Sequence, residues 1–164
     1  MTGFTATRRQ GALVFLGLLA AVFVVGGLGA FATLPQIPGW YRALAKPPWT
    51  PPDWLFGPAW TVLYIAMAVA AFLVWRRPAQ AARSRGLWLW TAQLIANALW
   101  SPLFFGAHRL GLALIDIAVL WLLIVATMVA FRPVRGLAAG LLVPYLLWVT
   151  FAAALNAAIW QLNG

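Results

Sequence analysis

Residues 11–34 read GALVFLGLLAAVFVVGGLGAFATL, 24 consecutive positions without a charged side chain. About 20 residues at a rise of 1.5 Å cross the hydrocarbon core of a bilayer, so this run is long enough to span it as a helix. Working outward from it, four more apolar stretches follow, at residues 54–75, 86–107, 110–131 and 136–160. Each is of spanning length, some with tilt. The whole chain has the same character: of 164 residues 65% are hydrophobic, 8% are charged, and mean hydropathy is +0.91. A soluble domain of this size leaves too much of its surface in water to hide that apolar content. Backbone groups in lipid must be satisfied within their own segment, which favours helices over strands here. The expected fold is therefore an all-α membrane protein: one domain over residues 1–164, a bundle of five transmembrane helices with a long structured first loop at residues 35–53.

Arg8-Arg9 ahead of the first run resembles the basic start of a signal peptide or a twin-arginine signal. The apolar run exceeds the 7–15 residues of a signal core and has no small-residue cleavage site before polar sequence, so it is expected to be the first span. With five spans, Arg8, Arg9, Arg76, Arg77, Arg83, Arg85, Arg132 and Arg135 share one face, and Arg42, Lys46 and Arg109 the other. Basic residues are retained on the cytoplasmic side, which predicts a multi-pass protein with its N-terminus cytoplasmic and its C-terminus outside. The net charge of +9 is thus mainly a topology signal, with anionic membrane lipid as a secondary partner. It is not a nucleic-acid footprint, because the basic residues form no single patch. The absence of cysteine excludes disulfides and thiol catalysis. Ten arginines against one lysine suggest a GC-rich bacterial source.

Residues 35–53 form a connection longer than the 12–15 residues usual for structureless loops. Pro35, Pro38, Pro47, Pro48, Pro51 and Pro52 stiffen it, and a short helix fits between Gly39 and Lys46. Its aromatic residues suit either an interfacial belt or a rigid lid over a cavity between helices. Asp53 is the expected N-cap of the second helix, with Gly57-Pro58 in its first turn. Within the spans, Trp60, Tyr64 and Met67 fall on one helical face. Gln93, Asn97, Trp100 and Phe104 fall on another, and Tyr145, Trp148, Ala152 and Asn156 on a third. Amides lack partners in lipid, so these faces should point at one another. They serve either as interhelical glue or as a flat aromatic pocket with a few amide donors. Pro102 and Pro144 remove the bonds to the carbonyls of Ala98 and Gly140 and should kink their helices.

The patterns WY-x-x-L-x-KP-x-W-x-PP-x-W-x-FGPAWT-x-LY from Trp40, Q-L-x-x-N-x-x-W-x-P-x-FFG from Gln93 and PYL-x-W from Pro144, with a downstream Leu155-Asn156, resemble the TspO/MBR family. The resemblance implies a five-helix bundle, usually a homodimer, that binds porphyrins or haem, sterol-like lipids and benzodiazepine-type drugs beneath the first loop. Carried over by motif, the ligand-binding residues would be Tyr41, Trp60, Tyr64, Asn97, Trp100, Phe104, Trp148 and Ala152, with Trp49 and Trp54 in the lid. It also raises light- and oxygen-dependent porphyrin degradation, for which Trp60 and Trp148 are the candidate catalytic residues. The sterol motif of animal members, L/V-x-Y-x-K/R, is missing: Ala157 stands at the tyrosine position and Gln161 at the basic one. A bacterial tetrapyrrole binder is thus expected to sense, sequester or transport porphyrins, with no obligatory cofactor. A porphyrin-degrading enzyme is the alternative, and a lipid, sterol or proton-coupled transporter a third reading.

That transporter would use Asp116, an ionisable residue inside the fourth span, which could equally be structural, protonated or bonded to a neighbouring helix. His108 is expected to be a satisfied interfacial histidine. No paired carboxylates, metal-spaced cluster or hydrolytic triad occurs, so no metal site is expected. Ala92-x-x-x-Ala96 and Gly136-x-x-x-Gly140 are small-residue patterns that permit close helix approach, and the family resemblance makes Ala92 and Ala96 the expected dimer interface.

Overall fold

In the computed structural model, which describes residues 7–164, all regular structure is helical. Thr7 starts α1 (Arg8–Thr33) with a capping box: Gln10 N donates to Thr7 Oγ1 at 3.2 Å and Thr7 N to Gln10 Oε1 at 3.0 Å. The expected loop does not begin at Pro35. Helical backbone continues through a 3₁₀ turn at Leu34–Gln36 and a π turn at Ile37–Tyr41. Pro35 and Pro38 each occupy the first positions of one of these short turns, where a missing N–H costs least. The separate short helix expected at Gly39–Lys46 is therefore the end of this extension, and irregular chain starts only after residue 43.

A 3₁₀ turn at Asp53–Leu55 leads into α2 (Phe56–Trp75). Asp53 lies inside that turn and makes no capping bond; Pro52 holds the cap position of the turn and Leu55 that of α2, so the expected Asp53 cap is not formed. The third helix, α3 (Ala81–Ser101), starts earlier than its apolar stretch and runs into a π turn at Pro102–Gly106. Pro102 starts this turn, at its junction with α3. His108 then takes φ 55°, and Arg109 N bonds back to Leu103 O at 2.9 Å, a left-handed closure widened by the π turn. α4 is Leu110–Phe131. The fifth stretch divides into α5 (Gly136–Gly140) and α6 (Val143–Asn163). Pro144 lies in the first turn of α6, so the bond it cannot donate to Gly140 becomes a break at Leu141–Leu142.

Four segments are long and apolar enough to cross a membrane: Arg8–Tyr41, Asp53–Trp75, Leu110–Phe131 and Gly136–Asn163. α3 has the length but not the apolarity, because it carries Arg83 and Arg85 in its first turns and Gln93 and Asn97 in its middle. Both amides are turned inward, 1% and 7% exposed. Packing closes a ring in the order α1, α2, α5/α6, α4, α3, with α3 and α4 the most extensive pair. Their close approach depends on Gly86, where a Cβ would lie 2.8 Å from the Phe131 ring. A core of alanines and branched residues around Met67, Trp90, Phe131 and Tyr145, drawn mainly from α2, α3, α4 and α6 with Ala138 and Ala139 of α5, fills the half of the ring nearest the N-terminus.

Candidate functional site

The other half of the ring is hollow. A cavity of about 520 Å³ lies between the end of α1, the start of α2, the end of α3 and the second half of α6, with Ile117 and Leu120 of α4 behind it. Its walls are aromatic. Trp60 stacks on Tyr64 with centroids 5.3 Å apart, Trp100 stacks on Phe104 at 5.0 Å, and Phe56 meets Trp148 edge-on at 5.8 Å. Spacing alone explains the two stacked pairs, since residues four apart on a helix point the same way, while Phe56 and Trp148 meet across the α2–α6 interface.

A relay of hydrogen bonds ties three helices together at the cavity floor. Tyr64 OH donates to Asn97 Oδ1 at 3.0 Å, Asn97 Nδ2 donates to Tyr145 OH at 3.0 Å, and Tyr145 OH donates to Gln93 Oε1 at 2.9 Å. A second set ties α3 to α6 and α4: Trp100 Nε1 donates to Asn156 Oδ1 at 3.1 Å and Asn156 Nδ2 to Leu110 O at 3.0 Å. The amides therefore do act as interhelical glue, and Asn97 and Asn156 also line the cavity. Trp148 lines it too, and its buried Nε1 has no hydrogen-bond partner. An N–H in that position is open to an acceptor on whatever fills the space.

The structure gathers Tyr41, Trp60, Tyr64, Asn97, Trp100, Phe104, Trp148 and Ala152 around this one cavity. Met67, Gln93 and Tyr145 lie beneath it in the packed layer. Trp49 and Trp54 are not part of the wall. Trp49 packs on the outer side of α6 against Phe151 at 5.9 Å and is 47% exposed, and Trp54 is 71% exposed. The lid is instead held through backbone. Lys46 Nζ donates to the carbonyls of Tyr41 and Leu44 at 2.6 and 3.0 Å. Asn163, in the last turn of α6, clasps Ala45 through both its N–H and its C=O at 2.9 Å each. Trp40 lies flat on His108 at 4.0 Å, and His108 Nε2 meets Gln36 Oε1 at 3.2 Å, so that ring is occupied at the helix ends.

Sequence reasoning missed the contribution of α1. Gly26, Gly27, Ala30 and Thr33 line the cavity, as do Asp53 and Thr61 beyond the lid. The available signal was the cluster Gly26-Gly27 with Gly29, which lets neighbouring helices come close. A Cβ on Gly26 would stand 2.8 Å from the Tyr64 ring, and one on Gly29 3.3 Å from Ser101 Oγ. Phe23, Gly27 and Ala30 on α1, Leu34 in the turn that follows it, and Gly57 and Thr61 on α2 line the cavity and are also exposed, so it opens sideways between these two helices.

Asp116 does not line the cavity, and its buried Oδ2 has no hydrogen-bond partner, so of the two expected alternatives a bond from a neighbouring helix to that oxygen is not made. Ala96 is 6% exposed and belongs to the core, so it does not face outward with Ala92. The outward face of α3 is marked by Trp88, Ile95 and Leu99, exposed at 75%, 58% and 51%.

A helical, multi-pass membrane protein with one aromatic cavity under a proline-stiffened loop is the class these features define. The sequence profile of the TspO/MBR family matches residues 18–161, and the chain belongs to that family. It is similar to Protein CrtK of Rhodobacter capsulatus, 42% identical over 90% of this chain and 94% of the relative. It is 41% identical to the tryptophan-rich protein TspO of Chlorobaculum tepidum over 92% of this chain and 97% of that one. The human translocator protein is 43% identical over 76% of this chain and 75% of its own length.

Proposed function

We propose that the cavity binds a porphyrin or a related tetrapyrrole, and that the protein senses, sequesters or passes on such ligands across or within the membrane. The observation that carries this reading is the cavity itself. Its 520 Å³ falls within the roughly 300–1,000 Å³ of small-molecule sites, and its walls are indole and phenol faces. A flat, apolar ring with polar edges matches that lining: stacking supplies affinity, and Asn97 with the free Trp148 N–H supplies orientation. No histidine, cysteine or methionine lines the cavity, so recognition would act on the face of the macrocycle. Ligand-binding roles are accordingly assigned to Tyr41, Trp60, Tyr64, Asn97, Trp100, Phe104, Trp148 and Ala152. All five long segments, α3 included, would cross the bilayer, with the arginine-rich end cytoplasmic. A homodimer would form through the outward face of α3.

Protoporphyrin titrated into purified protein in darkness, followed by tryptophan quenching, tests the reading. Trp60→Phe and Trp148→Phe should each weaken binding about two- to tenfold, because one stacked aromatic contact is worth about 0.5–1.5 kcal/mol. Unchanged affinity in both variants would place the ligand elsewhere. The same samples under light and oxygen separate a binder from an enzyme: a new pigment in proportion to protein turnover would replace the binding reading with porphyrin degradation.

A further inference from the structure

A second cleft, of about 280 Å³, lies at the opposite end of the bundle, between the start of α1 and the last turn of α2. Arg8 comes to it from α1 and Arg76 from α2, and Phe72 and Trp75 form its floor. The floor is continuous: Phe72 stacks on Trp75 at 6.0 Å and 14°, and Phe15 of α1 meets Phe72 at 5.1 Å. Arg76 lies over the Phe72 ring at 5.8 Å and Arg83 over Trp75 at 5.9 Å, so the cationic rim is seated on aromatic surface.

These charges cannot be neutralised from within the chain. Its eleven basic residues face two acidic ones, Asp53 and Asp116, and neither lines this cleft. Asp53 starts the helix that Arg76 ends, a full span away. Arg83 is partly committed, donating from Nη1 to Arg77 O at 2.9 Å. Arg8 and Arg76 are exposed with no carboxylate of the chain beside them, and they stand at the ends of two segments long and apolar enough to span, where an external anion can reach both. Below the rim the α1 surface is greasy, with Leu13 and Leu16 exposed at 59% and 60%. An arginine from each of two helices above an apolar trough matches an amphiphile with a phosphate at its head.

We propose that this cleft binds an anionic phospholipid, its phosphate between Arg8 and Arg76 and its acyl chains along the outer surface of α1 and α2. The site is separate from the tetrapyrrole cavity and does not depend on it. Full-length protein delipidated in detergent and re-exposed to phosphatidylglycerol or phosphatidylcholine, then analysed by native mass spectrometry, gives the readout. Wild type should retain phosphatidylglycerol in preference. The double variant Arg8→Gln/Arg76→Gln should lose most of that retention, about tenfold, while Arg132→Gln/Arg135→Gln, which removes the same charge at the same end, should keep it. Gly11→Leu, which fills the cleft without touching charge, should also lose it and answers the question if the arginine variant misfolds. Equal loss in both arginine pairs, or full retention in Gly11→Leu, would overturn the proposal in favour of diffuse charge. Displacement by excess inorganic phosphate would overturn the lipid assignment in favour of a simple anion site.

Discussion

The hydroxyl of Tyr145 accepts from Asn97 and donates to Gln93, and its residue is fully buried. Gln93 Nε2 already lacks a partner, so Tyr145→Phe would leave that amide with no hydrogen bond at either atom. A buried polar group left unsatisfied costs about 1–3 kcal/mol, although bonds between membrane helices often average nearer 0.6 kcal/mol. Tyr145→Phe should therefore lower the thermal midpoint in detergent by several degrees without changing the volume of the core. A midpoint equal to wild type would mean that the relay contributes no stability. Residues of this kind were legible in the sequence: an amide in a span must find a partner, and helical spacing says which way Gln93, Asn97 and Asn156 point. Trp49 and Trp54 were not legible, because an indole near a membrane interface is stable both in a wall and on a surface. Asp116 was ambiguous for the same reason, since a single carboxyl in a span does not name its neighbour.

At the scale of elements, α1 and α2 meet through Gly26, and what a side chain there would displace is the Tyr64 ring, pinned by its bond to Asn97. Gly26→Val should cost about 1–3 kcal/mol as an overpacking change and should weaken porphyrin binding by tilting that ring. Gly27, one residue on, has open space around it and lies at the sideways opening of the cavity. Gly27→Trp should therefore leave the fold intact but obstruct the gap between the helices. If ligands enter from the bilayer, stopped-flow association and dissociation with protoporphyrin should both slow while the equilibrium constant changes little; unaltered rates would direct entry to the lid. Element bounds were readable where nothing interrupts an apolar run: α4 is the stretch 110–131 expected from hydropathy. They were unreadable at Pro35, Pro102 and Pro144, because proline marks the start of a new turn as readily as a kink or a stop. There the chain resolves differently each time, by a 3₁₀ turn at Pro35, by a π turn at Pro102 and by the α5/α6 break at Pro144.

For the whole molecule, contacts between distant segments show which helix ends lie together. Trp40 in the π turn that extends α1 stacks on His108 between α3 and α4, and Ala45 is clasped by Asn163 at the end of α6, so residues 40, 45, 108 and 163 share one end of the bundle. α2 leaves that end and α3 returns to it, so α3 traverses the same thickness as its more apolar neighbours even though its amides lower its hydropathy. The apolar shell that would meet lipid is supplied by its outward residues, while its inward face is polar because the relay needs it. The five crossings proposed above, with eight basic residues at the end bearing the N-terminus and three at the other, should place the lid and C-terminus outside. The chain has no cysteine, so single cysteines report position without background. In intact cells a membrane-impermeant maleimide should label Ala107→Cys and Gly164→Cys directly, but Ala79→Cys only after permeabilisation. Labelling of positions 79 and 107 from the same side would show that α3 does not cross. Labelling of 79 alone from outside would keep five crossings and invert the protein, overturning the charge rule for this chain and leaving the ring of helices as it is.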